Sequence, residues 1–322
     1  MSVSPQELPL LSVALFTYNS SEYVLDTLES VYRQSYQGPI ELIISDDSSS
    51  DDTVDLCRAW MIKKGTRFQR MELLESPENT GISKNVNRGC RASSGKWIKI
   101  LAGDDLLTDD CLEVLLKKSA DIGSGCSFIM GPVYRFESMD QLCSKESLKP
   151  WFFIEPDIVI DLKYVFDHPF LCTLGASFFL SASMLKDIGY YDEIFRNFED
   201  SPLVRKAITN GYVINTINEA TVYYRVSEKS ATQSILNELS VKQYILDMYR
   251  YYLQPKFSLW QRWDSFFQFI PIRTQILLRG RMVILIHGIR VCRFFFMFSS
   301  YEKIFKNLFR PIYLMKLIRK SI

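Results

Sequence analysis

Trp97-Ile98-Lys99-Ile100-Leu101-Ala102-Gly103-Asp104-Asp105 carries an apolar strand pattern straight into two adjacent carboxylates. Like charges at a strand end repel unless a cation, or hydrogen bonds to an incoming ligand, absorb the charge. The pair therefore reads as a metal-diphosphate site, and its local alternative is a solvated Asp-Asp turn. The flanking chain decides between the two.

Upstream, Leu10 to Phe16 is an almost continuous apolar run, the pattern of a strand covered on both faces, ending in Thr17-Tyr18-Asn19-Ser20-Ser21. A helix is predicted next, capped by Ser20 or Ser21, with Val24, Leu28 and Val31 on one face. Ile40 to Ser45 gives a second buried strand, broken by Asp46-Asp47-Ser48-Ser49-Ser50-Asp51-Asp52-Thr53. Ser50, Asp51 and Asp52 are placed to cap a helix that turns Val54, Cys57 and Met61 inward. Met71 to Leu74 is a weaker third strand, followed by a helix through Val86 and Cys90 that stops near Gly95. Beyond the Asp pair, Thr108 is predicted to cap a helix with Leu112, Leu115 and Leu116 inside and Lys117 and Lys118 near its end.

This strand-helix alternation predicts βαβ units and an α/β fold, a parallel sheet with helices on both faces. Such sheets bind ligands in the crevice beyond the carboxyl ends of their strands. Thr17-Tyr18-Asn19, Asp46-Asp47 and Asp104-Asp105 each follow a strand end, so the three turns are expected to converge on one cleft. The chain has neither GxGxxG after its first strand nor GxxxxGK[ST], and so lacks the glycines that cradle phosphate in dinucleotide and P-loop sites. A divalent cation held by carboxylate oxygens is another partner for a diphosphate.

At 322 residues, with 47% hydrophobic and 23% charged residues, the chain can bury a full core and is not expected to be disordered. Its formal net charge of +1 is unevenly spread: after Lys256 the only acids are Asp264 and Glu302, among many lysines and arginines. The seven cysteines form no Cys-x-x-Cys pair, which points away from a zinc site or a secreted disulfide framework and toward a reducing, cytoplasmic compartment. Met1 to Leu11 shows no signal-peptide pattern. With only His168 and His287, histidine-based metal or acid-base sites are not expected.

These ordered motifs, from Leu10 to about Thr232, resemble the inverting glycosyltransferases of family 2. The resemblance implies the GT-A fold, a Rossmann-like and mostly parallel central sheet flanked by helices. Leu11 to Asn19 resembles the opening strand whose end contacts the nucleotide base, which implicates Thr17 and Tyr18. Asp46 to Thr53 resembles the Asp-Asp-Gly-Ser-x-Asp-x-Thr stretch, which implies that Asp47 accepts a hydrogen bond from uracil. The segment from Asn79 to Gly89 resembles the part lying over the donor, with Lys84 as a diphosphate contact. Asp104-Asp105 is similar to a variant Asp-x-Asp motif, implying Asp104 toward the ribose or sugar and Asp105 toward Mn²⁺ or Mg²⁺. The family often carries a further Asp where this chain has Ala102.

In the second half, Leu174 to Leu180 resembles the strand lining the acceptor side, followed by Gly189-Tyr190-Tyr191-Asp192-Glu193. Phe198-Glu199-Asp200 resembles the Glu-Asp motif, implying Asp200 as catalytic base; on local grounds alone it is the first turn of a helix. Tyr224-Arg225-Val226-Ser227 stands where the family commonly reads Tyr-Arg-x-His, with Ser227 in place of a metal-ligating His. The expected reaction is transfer of a sugar, UDP-linked first, to a glycan hydroxyl. The alternative is a catalytically silent nucleotide-sugar-binding or scaffold protein of the same fold.

Residues 1–232 are expected to form the catalytic domain and 233–322 a helical extension. Trp260, Trp263, Phe266, Phe267, Phe269 and Phe294-Phe295-Phe296 are interleaved with its basic residues, and its apolar runs are shorter than the roughly twenty residues that span a bilayer. That pattern predicts association with an anionic membrane surface, peripheral on the inner face of the cell membrane, and so a lipid-linked glycan acceptor. A buried helical cap or an oligomer contact is the alternative for the extension. A nucleic-acid surface is not expected.

Overall fold

The computed structural model describes residues 8–143, 148–151, 154–168, 173–195 and 199–226. Ser227, Phe198 and the whole predicted extension, 233–322, lie outside the described residues.

In chain order the strands are β1 Leu11–Thr17, β2 Ile40–Asp46, β3 Arg70–Glu75, β4 Trp97–Ala102, β5 Leu106–Leu107, β6 Phe128–Met130, β7 Val133–Phe136, β8 Pro150–Trp151, β9 Val159–Ile160, β10 Phe179–Ser181, β11 Ile214–Thr216 and β12 Val222–Arg225. The helices are α1 Val24–Tyr32, α2 Thr53–Lys64, α3 Ile82–Ala92, α4 Cys111–Ile122, α5 Met139–Cys143, α6 Leu162–Asp167, α7 Ala182–Ile188 and α8 Asp200–Thr209.

The predicted alternation builds the parallel part of an eight-stranded sheet ordered β3-β2-β1-β4-β10-β6-β11-β9. β1 pairs in parallel with both β2 and β4, Val13 lying opposite Leu42 and Lys99. Its central place explains its sequence: Leu11, Val13 and Leu15 have no exposure, and each buried side chain of this size contributes about 1.5–3 kcal/mol. β3 sits at the sheet edge, which accounts for its weak apolar signal. Val24, Leu28 and Val31 of α1 and Leu112 and Leu115 of α4 pack into one core with β1, β2 and β4.

Two predicted caps differ from what is found. α1 starts at Val24 with Tyr23 at the capping position and no side-chain cap, while the Ser20 and Ser21 N–H groups donate to Thr53 Oγ1 at 2.7 Å and Asp51 Oδ2 at 3.0 Å. In α2 the capping position is Asp52, one of the predicted residues, and the buried face is Thr53, Cys57 and Trp60 rather than Val54, Cys57 and Met61. For α4 it is Asp110, whose carboxylate accepts from Thr108 Oγ1 at 2.8 Å. Long-range and neighbouring hydrogen bonds thus claim groups that local pattern assigned to the helix ends.

The predicted strand Leu174 to Leu180 divides. Its first part is a 3₁₀ turn, Gly175–Ser177, and only Phe179–Ser181 joins the sheet, antiparallel to β4 with Phe179 opposite Lys99. A second, four-stranded sheet ordered β5-β12-β7-β8 stands beside the carboxylate turn. Its strands run for only two to four residues, too short for periodicity to reveal. Among the described residues no helix is long and apolar enough to cross a membrane.

Candidate active site

The turns at the ends of β1, β2 and β4 do meet. Asn19 adopts φ 48° and donates its N–H to Ser49 Oγ at 2.8 Å, while its carbonyl oxygen Oδ1 accepts from Ser50 N at 2.8 Å. A Cβ on Gly103 would stand 2.8 Å from Ser20 Oγ and 2.9 Å from Thr17 Cγ2. The carboxylate turn therefore lies against the end of β1 because residue 103 has no side chain.

Within this cluster several predicted donor contacts have other tasks. Thr17 is buried, and its hydroxyl donates to Asp46 Oδ2 at 2.8 Å, so its side chain faces the protein. Asp47 is 2% exposed and its carboxylate accepts from Thr80 Oγ1 at 2.6 Å, Thr80 N at 3.0 Å and Gly81 N at 2.7 Å, with Arg88 at 3.5 Å. It braces the turn entering α3. Lys84 is exposed and lies near enough to Glu193 to help hold that carboxyl below its ordinary range, after the hydrogen bonds from Asn87 and Arg91. Tyr18, 51% exposed, keeps its ring open to the cleft side of the turn.

One turn after Lys84 stands Arg88. Its guanidinium bonds Ser45 Oγ and the Asp46 carbonyl at 3.1 Å and Thr80 Oγ1 at 3.2 Å, tying β2 to the start of α3. Nothing in composition distinguishes it from the other arginines; its signal is position, one turn after Lys84 and beside the buried Asn85.

The two carboxylates of the opening motif have different surroundings. Asp105 is 1% exposed, and its Oδ1 accepts from Arg225 N at 2.9 Å. Asp104 is half-buried, and its carbonyl accepts from Arg225 Nε at 2.9 Å. Arg225 is itself held between the rings of Tyr23 and Phe136, at 4.4 and 4.5 Å, with Asp26 at 3.6 Å. Burial raises the Asp104 carboxyl against the opposing pull of Arg225; burial and then the Asp104 charge push Asp105 well above the usual carboxylate range. Asp105 is thus the more buried of the two, its Oδ1 turned to the Arg225 N–H, while Asp104 keeps partial exposure.

Among the described residues no group of three or more His, Cys, Asp or Glu side chains converges as a metal cage. A site with one outward carboxylate suits a hard cation that completes its shell with diphosphate and water oxygens. The residues present fit Mn²⁺ or Mg²⁺ in that manner, with Asp104 as the protein ligand.

Asp200 opens α8, and its Oδ2 accepts from Gly175 N at 2.7 Å. The fit is close enough that a Cβ on Gly175 would lie 2.1 Å from Asp200 Oδ1. Burial lifts the Asp200 carboxyl to about 6, opposed by the Gly175 N–H and by a hydrogen bond with Glu199. Burial and then the charge of Asp200 push the Glu199 carboxyl well above the usual carboxylate range, so the two neighbours titrate as a coupled pair. Tyr191 is 3% exposed, and among the described residues its hydroxyl has no hydrogen-bond partner. A lone glycine in an otherwise apolar stretch was the legible sign of this close approach.

The Gly175–Ser177 turn precedes β10, the antiparallel neighbour of β4, and packs against β4, the strand that leads into Asp104. Through Gly175, Asp200 is tied to that turn. Residues 12–182 match the model of glycosyl transferase family 2. The chain belongs to that family.

Glycosyltransferase GlyG of Streptococcus pneumoniae is 28% identical over 135 residues, 41% of each chain. The minor teichoic acid biosynthesis protein GgaB of Bacillus subtilis is 24% identical over 222 residues, which cover 69% of this chain and 23% of GgaB. The chain thus spans less than half the length of both curated relatives. Among solved structures, S. aureus TarS in complex with UDP-GlcNAc superposes with a TM-score of 0.59 at 18% identity, covering 82% of this chain and 72% of TarS. The mannosyltransferase PcManGT of Pyrobaculum calidifontis, in complex with GDP-Man and Mn²⁺, gives 0.57 at 16% identity, covering 91% of this chain and 81% of that one. The family member described here has their GT-A architecture.

Proposed function

We propose that the chain transfers the sugar of a nucleoside-diphosphate donor, UDP-linked in the first instance, to a glycan hydroxyl with inversion at the anomeric carbon. The observation that carries this reading is the Asp200 carboxylate, fixed by the N–H of Gly175 in a turn that packs on β4, the strand that leads into Asp104. With its carboxyl at about 6, Asp200 is ionised at neutral pH yet more basic than a free aspartate, which suits it to remove the acceptor hydroxyl proton. The oxygen so freed attacks the anomeric carbon from the face opposite the diphosphate, and a single displacement inverts the centre.

Asp104 would hold Mn²⁺ or Mg²⁺ together with the diphosphate; such a cation, when bound, offsets the charge growing on the leaving group. The Tyr18 ring is available to stack on the base, and Arg88 and Asp47 keep the adjoining turn in place. A UDP-sugar is the donor to test first because TarS is described with UDP-GlcNAc and with UDP. The name of GgaB supports a surface polymer of the teichoic type as acceptor. Residues 233–322 are proposed to hold the chain at an anionic membrane surface, where such acceptors are lipid-linked.

The test is Asp200→Asn. Asn retains a carbonyl oxygen for the Gly175 N–H but cannot take a proton, so transfer from a panel of nucleotide sugars with Mn²⁺ falls at least 10³-fold while UDP affinity stays within about threefold. Unchanged transfer by this variant refutes the assignment. A wild-type chain that binds UDP but transfers and hydrolyses nothing across the panel favours the binding-protein alternative.

A further inference from the structure

Lys99 lies inside β4 with no exposure, at a position that suits an apolar side chain. Its ammonium donates to the carbonyl of Ala176 and, at 3.4 Å, to that of Phe178. It also faces the Asp105 carboxylate and the Cys111 thiol. Burial draws its pKa down to about 8 against the pull of these two groups. A buried ammonium costs several kcal/mol unless it is well paired, and methionine fills similar space without that penalty. Packing alone therefore gives no reason for a lysine here.

Its neighbours do. Ala176 follows Gly175, whose N–H holds Asp200, and Asp105 follows Asp104. One ammonium on β4, the strand that leads into Asp104-Asp105, thus holds the residue next to the N–H that binds Asp200. Arg225 grips the carboxylate turn from the second sheet, through Asp105 Oδ1 and the Asp104 carbonyl. Lys99 bonds the Gly175–Ser177 turn directly.

We propose that Lys99 is a positioning residue that sets the place of the base Asp200 relative to the end of β4 that leads into Asp104, by holding from within β4 the Ala176 carbonyl, next to the Gly175 N–H that binds Asp200. The inference rests on the glycosyl-transfer reading above. It acts on the geometry of the reacting groups and not on the nucleotide, so it predicts a loss in kcat without a matching rise in the donor KM.

The experiment compares Lys99→Met and Lys99→Gln with the wild-type full chain. Glutamine keeps an N–H donor for the Ala176 carbonyl and drops the charge; methionine keeps the volume and drops both. The readouts are kcat and donor KM for transfer, UDP affinity with and without Mn²⁺ by calorimetry, and the thermal melt. The Met variant is expected to lose about 30- to 100-fold in kcat with donor KM within threefold and a melt equal to or above wild type, and the Gln variant to recover part of that loss. A folded Met variant with kcat within threefold of wild type overturns the inference, as does failure of both variants to fold, which makes Lys99 a folding element only. If Met alone fails to fold, a Gln variant at wild-type kcat overturns it and one reduced in kcat with unchanged donor KM supports it. A wild-type chain inactive on every donor sinks the transfer reading itself, whereas active wild type matched by its Lys99 variants sinks this inference alone.

Discussion

Gly175→Ala is the sharpest perturbation of the base. Residue 175 does not have the left-handed φ that favours glycine, so alanine is not excluded by its backbone, and the whole effect is the new methyl against Asp200. That methyl would lie 2.1 Å from Oδ1 and 2.9 Å from Cγ, where contacts below 3.0 Å essentially never occur. The carboxylate must withdraw by about 1 Å, and a misplacement of that size costs on the order of 10²-fold in rate. The withdrawal also breaks the N–H bond to Oδ2, worth about 1.5–3 kcal/mol for a charged acceptor, which is the same magnitude seen from the energetic side. The Gly175 N–H is one of the groups holding the Asp200 carboxyl down against burial, so its loss must also move that pKa up from about 6. The assay is kcat for transfer as a function of pH, beside UDP affinity by calorimetry. Expected are a roughly 100-fold lower plateau, an acidic limb displaced to higher pH, and UDP affinity within about threefold. A variant with a wild-type plateau and limb refutes the role given to the Gly175–Asp200 contact.

In the wild-type chain, kcat/KM for transfer should fall below about pH 6 with one-proton slope, since protonated Asp200 accepts nothing; a limb near 4 contradicts the assignment. Stability runs the other way: a carboxyl lifted from 3.8 to about 6 on folding costs the folded chain about 3 kcal/mol above pH 6, and that cost fades as pH drops toward 4. Asp200→Asn should therefore melt higher than wild type at pH 8 and equal to it near pH 4, and a lower melt at pH 8 counts against the buried, lifted carboxyl. Asp104→Asn should weaken Mn²⁺-dependent UDP binding at least tenfold with little change in melt, while Asp105→Asn, whose Oδ1 can still accept from Arg225 N, should leave that binding within threefold. The opposite ranking restores Asp105 as the metal ligand.

The parallel half of the sheet was legible because β1, β2 and β4 are covered on both faces and therefore continuous in apolar residues, each ending at a polar turn. Convergence of those turns followed from the crevice rule, and the contacts of Asn19 with Ser49 and Ser50 bear it out. What the sequence concealed were tasks decided by partners far along the chain. Asp47 and Thr17 have the composition of ligand contacts but spend their oxygens on Thr80, Gly81 and Asp46. Arg88, Gly175 and Lys99 have no motif of their own; their roles exist only once α3, the 3₁₀ turn and β4 are brought together. The second sheet was hidden because its strands are too short to show a period, and with it the grip of Arg225 on Asp105.

That grip bears on why one outward carboxylate can suffice. Asp105 feels the charges of Arg225 and Lys99, but burial and the neighbouring Asp104 outweigh them and favour its uncharged form. Asp104 stands half-buried above it, and with Ala102 where the family often has an Asp, the turn offers outward little more than a single negative charge. One carboxylate is a poor trap for a divalent cation in water but an adequate third party to a cation that the diphosphate already holds. Metal and nucleotide should then bind as a unit, each raising the affinity for the other by the same factor, as linkage requires. The burial that disfavours the Asp105 anion keeps this coupling specific to the loaded donor: a second ionised carboxylate would attract cations to the empty cleft. Tight Mn²⁺ binding by the nucleotide-free chain is the result this argument forbids.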